Sequence, residues 1–275
     1  MSSLLLSNIM SRLMGVFASI SWPFPLNILF VGGFKRLVGI RLNDAQRERL
    51  SDYSSIQDIF TRSLKPEGRP IGDGIVSPCD GKVFDEGRIY KKTKFIVKGD
   101  LYQADELIGS FDESLEEGYY CSIYLSPKDC HQYRLPCDAT IKKVTHIPAK
   151  CLPVHPLFMK FVPKVYTKNE RVVVELQSHG LRYYMVMVAA LNVGKMTIDA
   201  LPDLQSNSKK ARVSKCYEAN TLMKKGDKLG QFELGSTIVL LFPKQANLKS
   251  MLTHNEQVLR YGQPIYQRQE SHDNT

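Results

Sequence analysis

The chain has 275 residues, is 43% hydrophobic and carries 37 Lys and Arg against 28 Asp and Glu, a net charge of +9. This is enough apolar content for one large domain or two small ones, and no repeat or low-complexity tract interrupts it. The basic balance suits nucleic acid, an anionic membrane or an acidic substrate. Neither zinc-finger spacing nor an arginine-rich arm is present, so no nucleic-acid partner is expected.

Residues 1–64 read as a helical, membrane-associating region. Leu13–Phe34 holds 22 residues without a formal charge, long enough by length alone to span a bilayer. Pro23 and Pro25 fall mid-run and break a helix interior, and no cleavable signal pattern is present. The expectation is two short apolar helices, Leu4–Ile20 and Leu26–Val38, lying on the cytoplasmic face of the cell membrane as a peripheral anchor. Trp22 would sit at the interface, and Arg12, Lys35, Arg36 and Arg41 would meet anionic head groups. The alternative is that the same helices cap the core. Asn43 or Asp44 predicts a capped helix through Leu50, and Ser55-x-x-Asp58 a second one to about Arg62.

Pro66 to Gly74 marks a boundary, and residues 65–275 read as a β-rich catalytic domain. Strands are predicted over Lys82–Glu86, Tyr119–Leu125, Ala139–His146, Arg171–Gln177, Tyr183–Leu191, Lys195–Ile198 and Thr237–Phe242. Leu101–Leu107 predicts a short helix. Pro148–Lys164, with four prolines, predicts a loop. The fold class is α+β, mainly antiparallel β with the N-terminal helices attached. Six cysteines without a C-x-x-C pair predict reduced thiols and no metal site.

Leu234-Gly235-Ser236-Thr237 lies between the apolar runs Phe232–Leu234 and Ile238–Phe242, with Gly235-Ser236 at or near a turn. Glycine tolerates strained backbone, and such strain brings the Ser236 hydroxyl against the Gly235 carbonyl; an ordinary hairpin would give the same four letters. Two further blocks accompany it: Val76-Ser77-Pro78-Cys79-Asp80-Gly81-Lys82-Val83 and Tyr124-Leu125-Ser126-Pro127-Lys128-Asp129-Cys130-His131. Together, in this order, they resemble the phosphatidylserine decarboxylase family. Asn169-Glu170-Arg171-Val172 and Lys225-Gly226-Asp227 also match.

The resemblance implies a pyruvoyl-dependent proenzyme. Ser236 would attack its own backbone, and the chain would be cut between Gly235 and Ser236 into a large chain, 1–235, and a small chain, 236–275. These would stay together as a heterodimer, with a higher oligomer open. Ser236 would become a covalent pyruvoyl cofactor, forming a Schiff base with phosphatidylserine and releasing phosphatidylethanolamine. Asp80 and His131 are the catalytic partners implied, the carboxylate orienting a histidine base.

The family's pattern is H-x-x-H, and here the second position is Arg134, which cannot act as a base. The base is then His131 for both steps, or another histidine such as His155, or the chain matures poorly. Arg134 and His155 are candidates for substrate binding, Arg134 through its forked donors. The competing function is an unprocessed lipid-binding relative retained for membrane contacts.

Overall fold

A computed structural model describes the chain except for residues 1–12, 155, 160, 192–194, 205, 207–213, 234–235 and 270–275. Residues 13–19 are helical. The helices that follow are α1 (Leu26–Val38), α2 (Ile56–Phe60), α3 (Ala104–Ile108), α4 (Pro156–Met159) and α5 (Val165–Lys168). In chain order the strands are β1 (Ile75–Val76), β2 (Gly81–Arg88), β3 (Lys94–Val97), β4 (Asp100–Gln103), β5 (Tyr119–Leu125), β6 (Gln132–Arg134), β7 (Ala139–Ile147) and β8 (Arg171–Ser178). They continue with β9 (Leu181–Ala189), β10 (Met196–Ile198), β11 (Lys215–Met223), β12 (Lys228–Phe232), β13 (Ser236–Phe242), β14 (Leu248–Ser250), β15 (Val258–Leu259) and β16 (Pro264–Arg268).

The main sheet is antiparallel, in the order β11-β7-β8-β9-β13-β5-β2-β15. Its centre is built from Val, Ile, Leu, Met and Tyr runs, which fit a pleated surface packed on both faces. All seven residues of β13 are buried, as are Tyr183–Ala189 of β9. A smaller sheet, β10-β12-β6, stands beside it. β12 and β13 are therefore not two arms of a hairpin: residues 233–235 carry the chain from one sheet into another. Packing between β10 and β12 depends on Gly230, where a Cβ would lie 1.9 Å from the Thr197 carbonyl oxygen.

The N-terminal region both covers the core and leaves an apolar face open. Val31 of α1 packs with Ile40, Leu42, Tyr53 and Ile59, and Phe34 packs against Phe60 and Ala18. On the outer side Phe24, Leu29 and Leu37 are 74%, 66% and 84% exposed. Trp22 is half-buried and stacks on Phe30, ring centroids 4.1 Å apart. Among the described residues no helix is long and apolar enough to cross a membrane.

Ser55 caps α2 by accepting the Asp58 N–H at 3.0 Å, as its spacing predicts. The helix expected from Asn43 or Asp44 to Leu50 does not form. Ala45 bridges to Leu64 instead, and the Asp44 carboxylate is engaged by Arg69. Leu101–Leu107 divides into β4 and α3, because Tyr102 pairs with Phe95 across a two-stranded ribbon. The proline-rich 148–164 segment holds one short helix, α4.

Candidate active site

Ser236 opens the central strand, opposite Leu125 on β5 and Ala189 on β9. Its Oγ is buried and has no hydrogen-bond partner among the described residues. Gly235, the other side of the expected cut, lies outside the described residues, as does His155.

His131 lies just before β6, and its carbonyl accepts the N–H of Phe232, the last residue of β12, at 2.9 Å. Three residues separate Phe232 from Ser236, so their Cα atoms are at most about 14 Å apart. The imidazole is fully buried and stacks on Phe60, ring centroids 3.8 Å apart. Its Nδ1 lies 3.0 Å from the main-chain carbonyl of Asp129. A carbonyl only accepts, so the proton is on Nδ1 and Nε2 is a bare acceptor. Nε2 is buried and, like the Ser236 Oγ, has no hydrogen-bond partner among the described residues. Burial pushes the His131 pKa down to about 3, the Asp129 carbonyl opposes that, and nearby Arg62 adds to it. The ring is thus neutral throughout the physiological range.

Asp80 does not orient this ring. Its carboxylate is held by Arg69, Nε to Oδ1 at 3.1 Å and Nη2 to Oδ2 at 2.6 Å, and by the Tyr261 N–H at 2.9 Å. Arg69 also bonds Asp44 at 2.8 Å. Burial works against the charge on Arg69, but its hydrogen bonds to Asp80 and Asp44 outweigh this and its pKa is raised. The tautomer-fixing acceptor expected from Asp80 is supplied instead by the Asp129 main chain. That chain is itself pinned: the Asp129 N–H donates to the Ser126 carbonyl and the Ser126 N–H to Asp129 Oδ2, each at 2.8 Å. The Asp129 carboxyl is raised to about 6, first by burial and then by Asp80, with the Ser126 N–H opposing.

Arg134 reaches the surroundings of Asp80 through Tyr261, whose N–H the Asp80 carboxylate accepts. Its main-chain N–H donates to Pro78 at 2.8 Å, and its guanidinium lies over the Tyr261 ring at 4.5 Å. Nη1 donates to the Gly226 carbonyl at 3.0 Å, but Nε is buried without a hydrogen-bond partner among the described residues.

Three further residues shape the site. Asn169 donates from Nδ2 to the Leu152 and Ala189 carbonyls, both at 2.8 Å, tying the proline-rich segment to the strand beside Ser236. Glu170 bonds buried His146 at 2.7 Å. Arg171 donates to the main-chain carbonyls of Leu107, Glu106, Thr167 and Asn169, and burial lowers its pKa to about 10. The Asn-Glu-Arg tripeptide was the signal for all three.

With this geometry in place, the sequence comparisons are informative. Residues 56–267 match the profile of the family described as phosphatidylserine decarboxylase. A Helicobacter pylori protein named phosphatidylserine decarboxylase proenzyme is 37% identical over 251 residues, 88% of this chain and 91% of its own. Its Campylobacter jejuni namesake is 34% identical over 93% of this chain and 97% of its own. A Caenorhabditis elegans relative named as the mitochondrial proenzyme is 33% identical over 94% of this chain and 70% of its own. The chain belongs to the phosphatidylserine decarboxylase family.

Proposed function

We propose that this protein is made as a proenzyme that cuts itself between Gly235 and Ser236 and then decarboxylates phosphatidylserine to phosphatidylethanolamine. The observation that carries this reading is the pair of orphaned buried atoms, the Ser236 Oγ and the His131 Nε2. A buried hydroxyl and a buried imidazole nitrogen cost stability unless something completes them, and self-processing chemistry uses both. His131 Nε2 takes the Ser236 hydroxyl proton as Oγ attacks the Gly235 carbonyl carbon. The peptide C–N bond breaks and an ester remains, with the proton delivered to the freed amine. Removal of the Ser236 α-proton then expels the 1–235 carboxylate. Water replaces the nitrogen as ammonia, leaving a ketone at residue 236.

Position 236 is fully buried, and the carbonyl group formed there would supply an electron sink for loss of carbon dioxide from an α-amino acid. The chain's own residues hold it in place. β9 and β5 fix position 236, Asn169 closes the adjoining segment, and His131 carries a proton to the carbon that loses its carboxylate. The exposed apolar face of residues 13–38 seats the protein on the surface holding its lipid substrate. Arg69 pairs with the Asp80 carboxylate, and the Arg69 and Arg134 guanidinium groups lie 5.8 and 4.5 Å from the centroid of the Tyr261 ring.

Intact mass tests the reading. Fragments 1–235 and 236–275 are expected, the latter lacking a free amine, and Ser236→Ala is expected to stay one chain. A wild-type chain that stays full length after prolonged incubation at neutral pH overturns it and favours the unprocessed lipid-binding relative.

A further inference from the structure

A cavity of about 500 Å³ opens between the residues that follow α1 and the loop that carries Asp129. That volume lies within the range of roughly 300–1,000 Å³ common for small-molecule sites. Its wall holds five cations, Arg41, Arg62, Arg69, Lys128 and Arg260. Three carboxylates face them, Asp44, Asp80 and Asp129, leaving an excess of two positive charges. Arg69 is already paired with both Asp44 and Asp80.

Arg62 is the informative member. It is only 4% exposed, yet its guanidinium donates solely to the main-chain carbonyls of Ile59, Asp129 and Lys128. Its Nε is buried without a partner, and no carboxylate among the described residues pairs with it. The Asp129 carboxylate acts on it only at longer range; a buried cation with no bonded counter-charge is costly, and an anion in the cavity would complete it. The Asp129 carbonyl that Arg62 reaches is the one that receives the His131 Nδ1 proton. The mouth lies where Gly39 and Arg41 follow the exposed apolar face of α1, with Val258 71% exposed on the rim. An anion arriving from a membrane would meet this mouth at head-group depth.

We propose that this cavity binds the phosphodiester of a glycerophospholipid, with Arg62 as the buried anchor and Arg41, Lys128 and Arg260 at the mouth. This rests on the decarboxylase reading above and adds where the phosphate of its substrate sits. Guanidinium groups suit the role because their donors match two phosphate oxygens at once.

The test is calorimetric titration of the purified full chain with dihexanoylphosphatidylglycerol, a soluble phosphodiester lipid with no amine to react, and separately with sodium phosphate. One lipid per chain is expected, weakened about tenfold or more by Arg62→Gln and by Arg260→Gln. Lys244→Gln removes the same charge outside the cavity and is expected to leave lipid binding unchanged. In mixed micelles the same two cavity variants are expected to raise KM for phosphatidylserine far more than they lower kcat.

Arg260 is exposed, so its variant keeps the test valid if Arg62→Gln misfolds. Unchanged lipid binding in Arg260→Gln together with Lys128→Gln would overturn the proposal, as would equal weakening by Lys244→Gln. Phosphate binding as tightly as the lipid would overturn the lipid source and point to a free anion. Lipid binding needs no chain cleavage, so a protein that binds but never cuts would sink the decarboxylase reading and leave the anion site standing.

Discussion

Acid should unfold this protein through His131, and the size of the effect follows from its burial. The imidazole is held down to about 3 against an ordinary value of 6.5. In the unfolded chain it takes a proton near pH 6.5; in the fold it does not until about pH 3. The stability it contributes is therefore complete above pH 6.5 and is lost as pH falls through that window, at about 1.4 kcal/mol per pH unit. Between pH 6.5 and 4.5 the loss is about 2.3 kcal/mol, a large part of a typical domain stability of roughly 5–15 kcal/mol.

Asp129 works in the opposite direction. Its carboxyl is raised to about 6 from 3.8, so the fold takes this proton before the unfolded chain does and gains stability as pH falls between those values. The wild type alone would show partial cancellation, so variants must separate the two. Guanidinium titrations from pH 7.5 to 4 on Ser236→Ala, with and without His131→Asn, keep cleavage from mixing species. The stability difference between the pair is expected to shrink by about 2.3 kcal/mol from pH 6.5 to 4.5. A difference that stays flat within about 0.5 kcal/mol would refute the assignment of His131 as a buried neutral base.

Other perturbations have equally definite outcomes. Chain cleavage in freshly translated wild type is expected to hold its rate from pH 8 to 5.5, because Nε2 needs no deprotonation there; a steep fall centred near pH 6.5 would exclude His131. His131→Ala is expected to slow cleavage by about a hundredfold to ten-thousandfold, and Arg134→His to speed it or leave it unharmed, both read on a denaturing gel. Arg69→Leu strands Asp80 without its buried partner and is expected to cost about 3–5 kcal/mol in a denaturant titration. Leu29→Ser with Leu37→Ser removes two exposed leucines and is expected to weaken vesicle cosedimentation at least tenfold with the melting temperature unchanged. Gly230→Ala drives a methyl into the Thr197 carbonyl and is expected to leave no soluble folded protein.

What the sequence conveyed was the part of the fold written in side chains. Tyr119–Leu125 emerges with the predicted bounds, and Ser236–Phe242 differs by one residue, because each is a solid apolar run in a sheet packed on both faces. β11 escaped notice because it is an edge strand and mostly exposed, so it shows no apolar alternation to read. At the site, Ser236 and His131 were legible as letters in blocks. The acceptor that sets the His131 tautomer was not, since it is a main-chain carbonyl and any residue offers one. Arg69 was hidden for another reason. Its Pro-Glu-Gly-Arg-Pro setting reads as a linker, and only the fold brings it to Asp80.

If the chain is cut between Gly235 and Ser236 as proposed, the position of β13 decides what becomes of the two pieces. Residues 236–269 supply a middle strand of the main sheet, the β15 edge beside β2, and β16, which lies between β1 and β14. A cut ahead of residue 236 therefore releases nothing. The small piece stays threaded through the large one and could leave only if the whole sheet came apart. Pairing between the two pieces is thus decided during folding, before the bond is broken. Two proenzyme variants matured in one tube should give no hybrids, and every mature molecule should carry two pieces of the same translated chain.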